Sequence, residues 1–150
     1  MQIRQPILYG LVFILVLILV LVAIGGGLFN QSARWPVQWQ HQAFNSLCHQ
    51  MANRSFWING QPMAVCSRCI GVYSGFALGW MLLPMLSLIR ITRLAHIKKV
   101  LVVILLFNFI DAAGNLLGLW QNTLFSRAIL GGMLGSSAAL IFVGDFFHHN

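Results

Sequence analysis

The sequence predicts an all-α integral membrane protein, with four transmembrane helices and an outer loop that contains a short amphipathic helix. Three observations carry that expectation. Hydrophobic residues make up 59% of the 150 positions and charged residues 7%, whereas soluble domains run near 25% charged. Acidic side chains number two, Asp111 and Asp145, against nine Lys and Arg. Such scarcity excludes both a soluble globule and a charge-rich disordered chain. The apolar residues are also gathered into four long runs. A formal charge of +7 brings nucleic acid to mind, but no basic run sits on a polar scaffold. The partner expected is therefore the lipid bilayer, and no nucleic acid.

The first run, about 7–29, contains no charged residue. At about 1.5 Å per residue it reaches roughly 34 Å, enough to cross a hydrocarbon core of about 30 Å. Arg4 ahead of it and Gln31-Ser32-Ala33 behind it suit a signal peptide. A signal h-region is only about 7–15 residues long, however, so an uncleaved anchor is expected. The outer loop, 30–68, comes next. Pro36 can open a helix that runs to about Asn53. Within it Phe44, Leu47, Cys48 and Met51 recur at helical spacing, with Gln40, Gln42 and Gln50 largely off that face. Trp35 and Trp39 suit a membrane interface, and Asn59-Gly60 followed by Pro62 marks a turn. The second run covers about 69–89, a basic loop 90–99, the third run about 100–120 and the fourth about 128–147. The chain is read as a single membrane domain, 1–150.

Basic residues set the orientation. Arg90, Arg93, Lys98 and Lys99 crowd the loop between the second and third runs, and Arg4 flanks the first. Positive-inside logic places these in the cytoplasm, together with both termini of a multi-pass protein of the cell membrane. Arg34, Arg54, Arg68 and Arg127 then face outward. Gly71, Gly75 and Gly79 form overlapping G-x-x-x-G pairs, and Gly114 with Gly118 and Gly131 with Gly135 repeat the spacing. Small residues four apart let helices approach closely in lipid, so these faces predict tight bundle packing, or a homo-oligomer through the same faces. The first helix lacks the device through its centre and is expected at the bundle edge.

All three cysteines lie in the outer loop or at its end. Sixteen residues separate Cys48-His49 from Cys66-Ser67-Arg68-Cys69. A Cys-x-x-Cys turn presents two thiolates to one metal ion, and a distant Cys/His pair completes a tetrahedral set. Cys48, His49, Cys66 and Cys69 are thus the candidate ligands, and zinc the candidate ion. Adjacent helical residues point about 100° apart, so Cys48 and His49 share an ion only if the helix ends or bends there. His41, two turns earlier on the same face, is the substitute ligand. Arg68 and Arg54 would offset the thiolate charge. The rival chemistry is thiol–disulfide exchange by Cys66 and Cys69, and an outward Cys-x-x-Cys on four membrane helices is similar to vitamin K epoxide reductase and the quinone-linked disulfide-forming proteins. Those relay electrons through a second cysteine pair, and here only Cys48 is left over. An inert disulfide or plain buried thiols is the bland alternative.

The same residues resemble a family of small predicted membrane proteins of bacteria and archaea, a domain of unknown function. The match is to Cys48-His49-Gln50, Arg54-Ser55-Phe56 and Cys66-x-Arg68-Cys69-x-Gly71-x-Tyr73-x-Gly75, with looser likeness at Asp111, Arg127, Gly131 and Gly135. It covers roughly 44–140. The family commonly has Thr where this chain has Ile70. The resemblance implies that Cys48, His49, Cys66, Cys69, Arg54 and Arg68 belong together, and brings no activity.

Inside the bilayer, Asn108, Asp111 and Asn115 line one face of the third helix. A carboxylate at that depth is costly and usually serves a site or a packed polar cluster. Arg127 and Tyr73 are its expected partners, and a small transporter or channel built on Asp111 is a third functional class. Asp145 is expected at the bilayer edge. There is no glutamate, which removes H-E-x-x-H metalloprotease chemistry. No phosphate-binding loop is present, and Ile70 after Cys69 rules out C-x-x-C-H haem attachment.

Overall fold

The computed structural model of the chain describes residues 2–3, 5–25, 28, 38–88, 94–142 and 146–148. Arg4, Arg34, Trp35, Pro36, Arg90, Arg93, Asp145 and His149, on which parts of the expected topology rest, lie outside the described residues. The chain is mostly helical. Helix α1 spans Pro6–Ile24, with Pro6 at its first turn, where the missing N–H costs nothing. It ends at Gly25 with φ 84°. A Cβ there would sit 2.9 Å from the backbone nitrogen of Ala64, so glycine both permits the turn and lets the loop come close.

Helix α2 is short, Trp39–Phe44. The expected helix to Asn53 stops there, and a 3₁₀ turn over Ala52–Arg54 is separate. The predicted apolar face consequently divides: Phe44 and Cys48 are buried, whereas Leu47 and Met51 are exposed and Gln40 is buried. Strands β2, Trp57–Ile58, and β3, Gln61–Pro62, form a hairpin around Asn59 and Gly60. Both of these have positive φ, the turn that Asn-Gly favours.

Helix α3 spans Ser67–Leu88, α4 spans Leu94–Leu116 and α5 spans Leu124–Leu140. Lys98 and Lys99, expected in a loop, lie in the first turns of α4. That helix also ends earlier than expected. Gly118 adopts φ 72°, and Leu119 N–H bonds back to the Gly114 carbonyl at 2.9 Å, a glycine C-cap of the Schellman type. Helix α5 starts on Thr123, whose hydroxyl accepts the Ser126 N–H at 3.1 Å. Strands β1, Gln2–Ile3, and β4, Phe147–His148, pair antiparallel and bring the two chain ends together.

The tightest seam joins α3 to α5. A Cβ on Gly71 would lie 2.2 Å from the Ala128 carbonyl oxygen, one on Gly75 2.2 Å from that of Gly132, and one on Gly135 2.0 Å from that of Val72. These helices touch backbone to backbone, as their glycine spacing predicts. Gly114 and Gly118 serve differently: Gly114 seats the Trp120 indole, and Gly118 caps α4. Helix α1 leans on α3 through Tyr9, stacked on Trp80 at 5.3 Å and donating to the Trp80 carbonyl at 2.6 Å. Its other residues are largely exposed, as an edge position requires.

Among the described residues, α1 is the one helix both long and apolar enough to cross a bilayer outright, with mean hydropathy 3.4. Helix α5 is apolar but 17 residues long. In α3 and α4, Arg68 and several glycines, or Lys98, Lys99, Asn108, Asp111 and Asn115, interrupt the apolar run.

Candidate metal centre

The centre forms where the segment between α1 and α3 meets the start of α3. Cys66 immediately precedes that helix, and its carbonyl accepts the Ile70 N–H at 3.0 Å. Cys66 and Cys69 therefore flank the first turn, with sulfurs 3.3 Å apart. Unpaired N–H groups at a helix start favour negative charge, hence thiolates. Cys48 arrives from the other side. Its N–H bonds to the Phe44 carbonyl at 2.9 Å, in the turn that follows α2, and the chain then reverses at Gln50 with φ 48°. The Cys66 N–H points at the Cys48 sulfur at 3.2 Å. All three sulfurs lie within 4.8 Å of one another, and the thiols are free.

Ala23, Phe44, Ala64, Val65 and Ile70 form the buried apolar floor under this cluster, with Tyr73 packed against it. Phe44 and Tyr73 lie ring to ring at 5.9 Å. Gln50 is the staple. Its side-chain amide donates to the His41 carbonyl at 2.5 Å and to the Ala64 carbonyl at 3.0 Å. It thereby ties α2 to the segment just before Cys66 and fixes Cys48 between them. Sequence reading placed Gln50 in the signature but assigned it no role, because a glutamine off an apolar face reads as solvated. Hydrogen bonds from the Cys66 and Cys69 thiols and from the Cys66 N–H hold the Cys48 thiol well below its ordinary range, against the opposing effect of burial.

The two histidines stand apart from the thiols. His49 is exposed and His41 is buried, and neither joins the three-sulfur group. Once α2 ends at Phe44, Cys48 turns inward and its neighbour His49 turns out. Burial pushes the His41 imidazole below its usual pKa, against the opposing effect of a backbone hydrogen bond at Pro62.

Arg68 leaves the thiols and pairs with Asp111, which also accepts from Asn122 at 2.6 Å. Arg127, the expected partner of Asp111, donates instead to Asn115 at 3.0 Å. The reason is the early end of α4. Asp111 lies only five residues before its last residue, Leu116, level with the start of α3 rather than at mid-helix. Asn122, in the α4–α5 connection, carried no sequence signal. Asn108 is buried and bonds to the Leu130 carbonyl of α5 at 3.2 Å, so the polar stripe of α4 faces its neighbour helix.

Residues 48–141 match the family described as Predicted membrane protein (DUF2085). An uncharacterized protein of Methanocaldococcus jannaschii is 31% identical over 107 residues, 71% of this chain and 68% of the relative. One from Methanothermobacter thermautotrophicus is 31% identical over 98 residues, 65% of this chain and 86% of the relative. No solved structure matches the chain. The matched stretch begins at Cys48 and so takes in all three cysteines, Arg54, Arg68, Asp111 and Arg127.

Proposed function

We propose, for a chain that belongs to the family Predicted membrane protein (DUF2085), a four-span membrane domain whose Cys48, Cys66 and Cys69 bind one zinc ion at the outer face. The observation that carries the reading is the convergence of three sulfurs within 4.8 Å. Tetrahedral zinc at about 2.3 Å from each sulfur sets the sulfurs roughly 3.8 Å apart. The 3.3 Å separation of Cys66 and Cys69 and the 4.8 Å bound bracket that value, so small side-chain rotations suffice. Soft thiolates select zinc, copper(I) or iron–sulfur clusters over hard cations. Bound zinc would offset thiolate charge and pin the outer loop to α3. Three sulfurs leave a fourth position, for water or for His49 after its side chain swings inward.

Several features support four crossings by α1, α3, α4 and α5, with both termini cytoplasmic. Helices α3 and α4, at 22 and 23 residues, reach about 33 Å or more. Val102, Leu105, Leu106, Phe107, Phe109 and Ile110 of α4 are each more than half exposed, a surface that lipid covers and water does not. The β1–β4 pairing holds Gln2–Ile3 against Phe147–His148, which fits an even number of crossings. Reporter fusions at the termini and within 94–99 test the orientation.

Cobalt(II) substitution tests the site. A thiolate-to-cobalt charge-transfer band, abolished by Cys48→Ser, is expected; cobalt bound without that band would refute three-thiolate ligation. The 3.3 Å approach of Cys66 and Cys69 favours a second reading, thiol–disulfide exchange, because closing to a bond of about 2.05 Å needs little motion. Thiol trapping in cells would then find that pair cycling between oxidised and reduced states.

A further inference from the structure

Beside the thiol cluster, a cavity of about 260 Å³ opens between the outer loop, the starts of α3 and α5 and the end of α4, its polar lining made by Arg54, Cys66, Ser67, Arg68, Asn115 and Arg127. Three guanidinium groups meet there. Asp111 is the one carboxylate that engages any of them, through Arg68, and among the described residues it forms the one ion pair. Three guanidinium groups therefore face one carboxylate around one small space, and Arg54 and Arg127 have no carboxylate of their own among the described residues. The side chain of Arg54, on the exposed 3₁₀ turn, has neither an ion pair nor a hydrogen bond among the described residues. Like charges gathered in a cleft repel one another unless an anion neutralises them, and guanidinium forks match the oxygens of phosphate or carboxylate.

Two further donors are left open. Ser67 is fully buried, lines the cavity, and its hydroxyl has no hydrogen-bond partner. The Arg68 Nε is likewise buried and unpartnered. Buried donors are nearly always satisfied in native proteins, so two unsatisfied ones on neighbouring residues that line the same cavity call for an acceptor. Ser67 and Arg68 also occupy the first turn of α3, whose free N–H groups attract anions. The volume lies just below the range of about 300–1,000 Å³ for small-molecule sites, which excludes a bulky ligand.

We propose that this cavity binds a phosphate dianion, held by Arg54, Arg127, the Arg68 Nε and the Ser67 hydroxyl. Several guanidinium and hydroxyl donors converge on one small space, and a tetrahedral group offers more acceptor oxygens than a carboxylate. The same chemistry is presented by free inorganic phosphate and by the phosphomonoester headgroup of phosphatidic acid at the bilayer surface. The site stands on its arginines and buried donors, independently of whether the thiols hold zinc.

The test uses the full chain, purified in detergent in phosphate-free chloride buffer. In one arm inorganic phosphate is titrated by calorimetry. In the other, protein in phosphatidylcholine nanodiscs is compared with and without phosphatidic acid, by melting temperature. Saturable binding in the first arm assigns a soluble phosphate, and stabilisation confined to the second assigns the lipid headgroup. In either arm Arg54→Gln should weaken the effect at least tenfold. Its ligand-free melting temperature should not fall, because the Arg54 side chain is exposed, has no partner to lose, and its removal relieves like-charge repulsion. Arg127→Gln is the second variant. No response in either arm, or a response that Arg54→Gln and Arg127→Gln leave intact, overturns the proposal.

Discussion

Gly131→Ala connects helix packing to the thiol cluster. A Cβ at position 131 would lie 2.2 Å from the Arg68 carbonyl oxygen and 3.1 Å from the Val72 nitrogen. Ordinary contact begins near 3.4 Å, and both neighbours are backbone, so α3 must retreat by about 1 Å. Overpacking of this kind costs about 1–3 kcal/mol, and more here because no side chain can rotate away. The retreat starts in the turn that carries Cys66 and Cys69, while Cys48 stays with the loop. Metal sites tolerate only about ±0.2 Å in ligand distance, so zinc affinity should fall roughly 10–100-fold, as it does when ligand-orienting partners are lost. The control is Gly10→Ala in α1, where a Cβ meets nothing within 4 Å. Far-UV circular dichroism in detergent reads the melting temperature, and competition with a chromophoric chelator reads the affinity. If Gly131→Ala melts and binds zinc like Gly10→Ala, the backbone seam does not position the site and the reasoning fails.

Other perturbations separate the parts. Gln50→Leu removes both staples and leaves the His41 and Ala64 carbonyls without those donors. It should cost about 1–3 kcal/mol in thermal unfolding and speed alkylation of Cys48, which is 6% exposed. Because the Cys48 thiol is depressed well below its ordinary value, it is already thiolate at neutral pH. Its site-resolved alkylation rate in zinc-free protein should stay flat from pH 6 to 8, whereas an ordinary thiol of pKa about 8.5 gains nearly tenfold per unit. A tenfold rise for Cys48 would contradict the assignment. Asp111→Asn leaves Arg68 without its carboxylate and should cost about 1.5–3 kcal/mol in chemical denaturation. The double variant Arg68→Gln/Asp111→Asn should cost less than the sum of the singles, since the two residues share one interaction.

The glycines show what the chain made legible. Gly71, Gly75, Gly131 and Gly135 stand four apart because backbones must meet there, and that spacing can be read without coordinates. Gly114 and Gly118 have the same spacing for another reason, a seat for Trp120 and a helix cap. That distinction depends on where α4 ends, which the continuing apolar residues Leu116, Leu117 and Leu119 conceal. The three cysteines were legible as a set from the Cys-x-x-Cys turn and its one distant partner. The place of His49 was not, because the direction of a side chain after a six-residue helix depends on where that helix stops. The Arg68–Asp111 pair was hidden for a similar reason: residues 43 positions apart meet only through the packing of α3 and α4 around α5. Gln50 and Asn122 act through backbone and side-chain geometry that no local pattern encodes.

A single metal ion held by three thiolates fixes both the metal content of the chain and the reactivity of its thiols. Zinc content and free-thiol titre are determined on the same sample of detergent-purified chain. About one zinc per chain is predicted, with thiols that react only after a chelator removes the metal, and with zinc lost in Cys66→Ser. Absence of metal alongside a Cys66–Cys69 disulfide, or three freely reactive thiols, would contradict it.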